Sequence, residues 1–145
     1  MAKLLASRTA QTVMEAEFTF NFDDTMANTS GTTVDFGKTN SASTVFEVIN
    51  LPPGAVIVGG DVVTETAFSA TTVNVSVGDS GSATRYLAAT NVKAAGRTAL
   101  VPTGYRGTGE NIQITVAPSG VSTTGKATVR VLYITTGRAQ EVCAA

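Results

Sequence analysis

The residues of this chain that could perform covalent chemistry are few, and the first candidate is a serine in a glycine-rich motif. Gly78-Asp79-Ser80-Gly81 carries a hydroxyl that could act as a nucleophile if a base lay beside it. The chain contains no histidine, which is the commonest base for that purpose. We therefore interpret the motif as a tight hairpin turn, for which Gly, Asp and Ser are the usual residues.

Two other patterns could bind ligands, a glycine-rich loop and a set of aspartates. Residues 104–109 contain three glycines but neither the Gly-Lys-Ser/Thr ending nor the strand-to-helix context of a phosphate-binding loop. Asp23, Asp24, Asp61 and Asp79 offer oxygen ligands, but no loop has the ligand spacing of a known calcium motif. We interpret these carboxylates as solvated turn residues, and we expect no metal, no cofactor and no enzymatic activity.

Arginine and tyrosine side chains are candidates for contacts with another protein. Arginine is enriched at protein interfaces, where it pairs bidentately with carboxylates. For any one arginine, however, we favour the interpretation as an isolated, solvated side chain. Tyr133 alternates in phase with buried valines and is expected in the core, which leaves Tyr86 and Tyr105 too few to form a sugar-stacking surface. The arginines in question are Arg85, Arg97, Arg106 and Arg130.

Composition and charge exclude several classes of partner. The chain has 145 residues, the usual size of one domain, and a formal net charge of −1. Its ten Lys and Arg residues are scattered from Lys3 to Arg138, so it lacks the basic patch that binding to several phosphates requires. No apolar run has the length of a signal-peptide core or a membrane span. We expect a soluble protein made in a cytoplasm, with no nucleic acid or membrane as partner.

The elements that must position these side chains are strands. Charged residues are 14% of the chain, against a typical level of about 25%, and the sequence contains 24 threonines and 18 valines. These two residue types are β-branched and favour a pleated surface. The composition therefore indicates an all-β protein.

Alternation of apolar and polar residues locates the strands. It is clearest at residues 18–22, 73–77, 112–116 and 126–135, and we expect the last two to form a closing hairpin. Gly59 and Gly60 interrupt another strand and indicate a bulge or a corner. The total is about eight or nine strands, which is typical of an antiparallel sandwich or barrel. We expect residues 1–16 to form an N-terminal arm and residues 17–145 to form one domain.

Three segments carry a resemblance to a known family. They are residues 73–87 (VNVSVGDSGSATRYL) with a turn at Gly96, residues 109–116 (GENIQITV) and residues 124–134 (TGKATVRVLYI). From about Thr44 onward the chain resembles the jelly-roll decoration, or cement, proteins of tailed bacteriophage capsids. The resemblance covers roughly two thirds of the chain.

The resemblance implies an antiparallel β-sandwich of jelly-roll type with about eight strands, and a structural role without a cofactor. The implied partners are the major capsid protein and a second or third copy of the chain, as a homodimer or homotrimer. The implied location is the outer capsid surface of the virion, after synthesis in the host bacterial cytoplasm. The candidate capsid or subunit contacts are Lys3, Leu4, Leu5, Arg8, Arg85, Tyr105 and Arg106.

Two alternatives remain open. The same module could belong to a head fibre, tail or baseplate, where it would bind a host surface or a glycan. It could also be a free carbohydrate-binding sandwich, although the absence of tryptophan counts against that interpretation.

Overall fold

The computed structural model describes residues 13–135 in full and, on either side of them, the backbone of residues 7–9 and 140–142. No helix among these residues is long and apolar enough to cross a membrane. The described residues form strands, turns and loops. The strands are β1 (Ser7–Thr9), β2 (Met14–Asn21), β3 (Thr25–Ala27), β4 (Thr33–Asp35), β5 (Thr44–Ile49), β6 (Ala55–Thr66), β7 (Thr72–Asp79), β8 (Ser82–Asn91), β9 (Gly96–Ala99), β10 (Ile112–Ser119), β11 (Lys126–Thr135) and β12 (Gln140–Val142).

Eight of these strands form two four-stranded antiparallel sheets. The first sheet has the order β2-β11-β6-β9 and the second has the order β5-β10-β7-β8. Taken in chain order, the first of these eight strands pairs with the last, and so on inward: β2 with β11, β5 with β10, β6 with β9 and β7 with β8. Each strand of the first half therefore pairs with its counterpart in the second half, as in a long hairpin rolled into a jelly roll. The predicted all-β antiparallel sandwich of jelly-roll type is confirmed.

The core lies between the two sheets and is filled by aromatic and β-branched side chains. Phe36 follows β4 and is 2% exposed, and its ring centroid lies 4.6 Å from that of Phe20 and 4.3 Å from that of Phe46. The predicted alternation is confirmed on β7, where Val73, Val75 and Val77 are fully buried. Tyr133 packs against the core as expected, whereas Tyr86 is itself part of the core.

The predicted closing hairpin between residues 112–116 and 126–135 is wrong. β10 pairs with β5 and β7 in the second sheet, whereas β11 pairs with β2 and β6 in the first. The loop between them crosses from one sheet to the other. Alternation identifies a strand with one buried face but not the sheet to which it belongs, because both sheets bury a face against the same core.

Two local predictions about glycines are confirmed. β6 is continuous through Gly59 and Gly60, and its register against β11 shifts between Leu132 and Tyr133, which leaves Val58 as the extra residue of a bulge. Ser80 and Gly81 connect β7 to β8 in a hairpin, so the Gly-Asp-Ser-Gly motif is a turn.

At the N-terminal side, β2 begins at Met14, four residues before the alternation that was noted at residues 18–22. β1 pairs with β12 in a two-stranded antiparallel sheet, in which Arg8 lies opposite Glu141. Three of the predicted arm contacts, Lys3, Leu4 and Leu5, lie outside the described residues. For Arg8, the structure describes the backbone only.

Candidate contact surface

Three of the predicted contact residues, Arg85, Tyr105 and Arg106, lie at one end of the sandwich. Arg85 is on β8, just after the β7–β8 turn, and the other two lie in loop 100–111, which connects β9 to β10. The β5–β6 turn, residues 50–54, meets the same loop, because Gly54 N donates to Gly107 O over 2.8 Å. We call the β5–β6 turn, the β7–β8 turn and loop 100–111 together the loop end.

Asp79 holds the Arg85 guanidinium in a bidentate ion pair. Arg85 Nε donates to Asp79 Oδ2 over 2.6 Å and Nη2 donates to Oδ1 over 3.2 Å. Asp79 Oδ1 also accepts hydrogen bonds from the backbone N–H groups of Gly81 and Ser82, each over 2.9 Å. The hydrogen bond to Asp79 raises the pKa of Arg85. Asp79 is only 3% exposed, so its interpretation as a solvated turn carboxylate is wrong.

Arg85 also contacts the aromatic ring of loop 100–111. Its guanidinium carbon lies 3.6 Å from the centroid of the Tyr105 ring, in a cation–π arrangement. The Tyr105 hydroxyl donates to Glu110 Oε1 over 2.9 Å, and this hydrogen bond raises the pKa of Tyr105. The structure thus brings two predicted contact residues together and joins them to two carboxylates.

Glu110 closes loop 100–111 on itself. Its carboxylate accepts hydrogen bonds from Thr108 N over 2.6 Å and from Thr108 Oγ1 over 2.8 Å, in addition to the one from Tyr105. Hydrogen bonds from the backbone of Glu110 itself and from Thr108 lower the pKa of Glu110 to about 2. The carboxylate therefore stays ionised, and keeps accepting these hydrogen bonds, at a pH well below its ordinary pKa.

Backbone hydrogen bonds anchor loop 100–111 at further points. Val101 N donates to Tyr86 O over 2.8 Å, and Gly107 N donates to Ala55 O over 2.9 Å. Arg106 forms an isolated β-bridge with Val56. A loop held in this way loses little conformational entropy when it binds, which is the advantage of a preorganised contact surface.

The outer side of the loop end carries apolar groups and one cation. Val101 is 65% exposed, and Pro52, Pro53 and Pro102 are exposed as well. Arg106, in the same loop as Val101 and Pro102, is also exposed. Exposed apolar residues together with arginine are typical of a surface that contacts another protein.

The hydrogen bonds to Glu110 give a prediction that can be measured in solution. Because the pKa of Glu110 is lowered from 4.5 to about 2, its carboxylate should remain ionised as the pH falls through 4.5 and protonate only as it falls through about 2. Replacing Thr108 with valine removes one hydrogen bond to the carboxylate and should raise this pKa. The measurement is the carboxyl ¹³C shift of Glu110 followed by NMR against pH. Thr66→Val, at an exposed threonine at the far end of β6, is the control that leaves the pKa near 2. A Glu110 that titrates near 4.5 in the unaltered protein would contradict the described loop.

A second polar cluster lies on the outer face of the first sheet. Arg130 donates to Asp61 through Nε over 2.8 Å and Nη2 over 2.9 Å, and Arg97 Nε donates to the same carboxylate over 2.6 Å. Asp61 is 5% exposed, and the hydrogen bond from Arg130 is the main reason that its pKa is lowered. The interpretation of Asp61 as a solvated turn residue, and of these arginines as isolated, is wrong.

The partners of the predicted residues were not identified from the sequence. Asp61 is 36 residues from Arg97 and 69 from Arg130, so only the register of three strands brings the three together. Asp79 and Arg85 are six residues apart in a hairpin, and this spacing was the one local signal available. Within residues 13–135, no group of three or more acidic or cysteine side chains could hold a metal ion.

Comparison with known proteins places the fold. No protein-family model matches the chain, and no curated protein matches it. A chain of the capsid asymmetric unit of cyanophage Pam1 is similar, with 24% identity and a TM-score of 0.62 over 92% of this chain and 94% of that chain. A chain of the capsid of Ralstonia phage GP4 is similar with 16% identity and a TM-score of 0.56, over 96% of this chain and 93% of that chain. This protein therefore shares its fold, over almost its whole length, with chains of two bacteriophage capsids.

Proposed function

We propose that this protein is a structural component of a bacteriophage virion, a decoration (cement) protein that binds the major capsid protein on the outer surface of the head. The observation that carries the proposal is the likeness in fold, over more than nine tenths of each chain, to chains of the Pam1 and GP4 capsids. In this role the protein is not an enzyme and needs no cofactor, nucleic acid or membrane. It associates with itself as a dimer or trimer.

The physical requirements of decoration fit a chain of this kind. A decoration protein folds as a soluble subunit and then binds a site that the shell repeats many times. When one oligomer contacts neighbouring capsomers together, the second contact forms at a high effective concentration, so weak individual contacts give firm attachment. A rigid sandwich with a preorganised contact surface is suited to this, because little entropy is lost on binding.

The loop end is the proposed contact with the shell. Arg85 and Tyr105 support loop 100–111 from beneath, through the ion pair with Asp79 and the hydrogen bond to Glu110. Arg106 and the apolar residues around Val101 form the exposed part that would meet the capsid protein. The predicted arm contacts Lys3, Leu4, Leu5 and Arg8 precede β2, which begins at this same end of the sandwich.

The stabilising role is tested with particles that lack the protein. Heads assembled without it should release their DNA at a lower temperature than complete heads, because the contacts that tie neighbouring capsomers are missing. Adding the purified protein back should restore the release temperature. The measurement is DNA release followed with a fluorescent dye during heating. If heads without the protein were as stable as complete heads, the cementing role would be wrong.

The contact surface is tested by binding to the same stripped heads. Arg106→Glu reverses the exposed charge of the loop end and should reduce the number of bound copies. Lys38→Glu is the matched control, because Lys38 is an exposed cation at the opposite end of the sandwich, next to Phe22. Equal loss of binding in both variants would indicate a general charge effect, and no loss in either would remove the loop end as the contact.

A further inference from the structure

β2 is an edge strand of the first sheet with a free side. Over Met14–Asn21 it pairs with β11, and no other strand among the described residues pairs with it. The neighbouring edge of the second sheet is covered, since Thr29 N in the β3–β4 turn donates to Val45 O of β5 over 3.0 Å. An uncovered edge strand offers unpaired N–H and C=O groups to another chain.

A cleft of about 430 Å³ lies along this free side of β2. Its lining includes Phe18, Thr19 and Phe20 from β2. Consecutive residues of a strand point to opposite faces, so a cleft lined by three in a row runs along the edge of the strand. Its other lining residues are Asp24, Thr25, Met26 and Phe36, so both apolar and polar groups line the cleft. The cleft therefore fits an extended segment that carries both apolar and basic side chains, because Phe18 and Met26 offer apolar contact and Asp24 offers a carboxylate.

The outer rim of β2 is acidic. Glu15 and Glu17 are exposed on the outer face of the first sheet, and neither forms an ion pair with another described residue. Arg130, the nearest cation across the register, lies opposite Glu17 but is held by Asp61. Direct pairing of β2 with β2 of a second copy would bring like charges together, which is unfavourable. The fitting occupant is a basic segment.

The chain contains one such segment near β2. Residues 1–12 carry Lys3 and Arg8 and no acidic residue, and residues 1–6 read Met-Ala-Lys-Leu-Leu-Ala. In an extended strand, Leu4 and Ala6 share one face while Lys3 lies on the other. Apolar side chains on one face and a cation on the other match a cleft beside an acidic rim.

We infer that residues 1–6 of one copy add as a strand to the free edge of β2 in a second copy, with Leu4 in the cleft and Lys3 beside Glu15 and Glu17. The inference rests on the self-association in the proposed function and names its surface. Strand addition of this kind gains affinity from main-chain hydrogen bonds and specificity from alternate side chains. It also covers the free side of an edge strand of eight residues, which no other described strand covers.

The test is the association of the purified full chain, measured by sedimentation under reducing conditions that prevent a Cys143 disulfide. Deleting residues 1–6 should weaken association at least about a hundredfold, since it removes Leu4 from the cleft together with the main-chain hydrogen bonds of the added strand. Lys3→Glu and the double variant Glu15→Lys/Glu17→Lys should each weaken it about tenfold. Combining them should restore it. Glu47→Lys is the control that should leave association unchanged; Glu47 is an exposed carboxylate on the second sheet that accepts a hydrogen bond from Asn111, away from β2.

Hydrogen exchange of β2 locates the contact. In the associated protein, the backbone amides of residues 15–20 that face away from β11 should exchange slowly, and they should exchange rapidly in the deletion variant, whose folded sandwich is intact. A monomeric chain, or association that neither charge reversal alters, would overturn the inference. Protection of β2 only on assembled heads would overturn it too, because the occupant would then be the shell protein. None of these results bears on the number of copies in the virion, which tests the proposed function separately.

Discussion

Replacing Phe36 with alanine is expected to lower the free energy of unfolding by about 3–5 kcal/mol. The residue follows β4, outside both main sheets, yet its ring is 2% exposed and lies against those of Phe18, Phe20 and Phe46. Removing the ring takes away its transfer free energy and leaves a cavity at the centre of an aromatic cluster. The surrounding rings belong to β2 and β5, which are held in opposite sheets by their ladders to β11 and β10, so they cannot collapse to fill the space.

Urea unfolding followed by circular dichroism measures this loss, and the melting temperature should fall by roughly 10 °C. Val121→Ala is the control, because Val121 is 57% exposed and its truncation should change stability by less than about 0.5 kcal/mol. A Phe36→Ala protein as stable as the Val121→Ala protein would mean that Phe36 does not occupy the core.

Replacing Gly60 with alanine is expected to cost about 3 kcal/mol or more, because a side chain there meets backbone and needs a strained conformation. An added Cβ would lie 2.2 Å from Arg130 O and 2.9 Å from Leu100 Cδ1. The φ angle of Gly60 is +139°, a region that residues with a side chain rarely adopt. The obstructing oxygen belongs to the β6–β11 ladder and cannot move without breaking it.

Gly59→Ala is the matched control for this substitution. It is the adjacent residue of the same strand, and its Cβ would meet Leu132 Cδ1 at 3.5 Å, an ordinary van der Waals distance. We expect its stability to stay within about 0.5 kcal/mol of the unaltered protein. The measurement is the midpoint of urea unfolding for both variants. Equal destabilisation by the two would show that the bulge, rather than the close approach of Arg130, limits this position.

The sequence is informative about strands because alternation is a local property. The faces of β7 and β10 follow directly from the valines and isoleucines that recur every second residue. Pairing is not local. The strands of residues 112–116 and 126–135 look alike in sequence and are close along the chain, but they lie in opposite sheets. A short connection favours pairing of the two strands as a hairpin. Here the two strands instead lie in different sheets, because the core must be covered by a sheet on each side.

The candidate site was predictable in its residue types but not in its partners. Arg85 and Tyr105 were singled out because such side chains are enriched at interfaces, and the structure places them in contact at 3.6 Å. Of their carboxylate partners, Asp79 was interpreted as a solvated turn residue, and Glu110 was not singled out. A buried ion pair requires a three-dimensional arrangement to replace the water that each charge loses, and composition does not reveal that arrangement.

Quantitative mass spectrometry of purified virions tests the proposed function most directly, because a decoration protein must be present at every repeated site of the shell. The amount of this chain is compared with that of the major capsid protein in the same particles. We expect hundreds of copies per virion, in a simple ratio to the capsid protein. A few copies, or a few dozen, would place the protein in a fibre, tail or baseplate, and its absence from virions would contradict the structural role altogether.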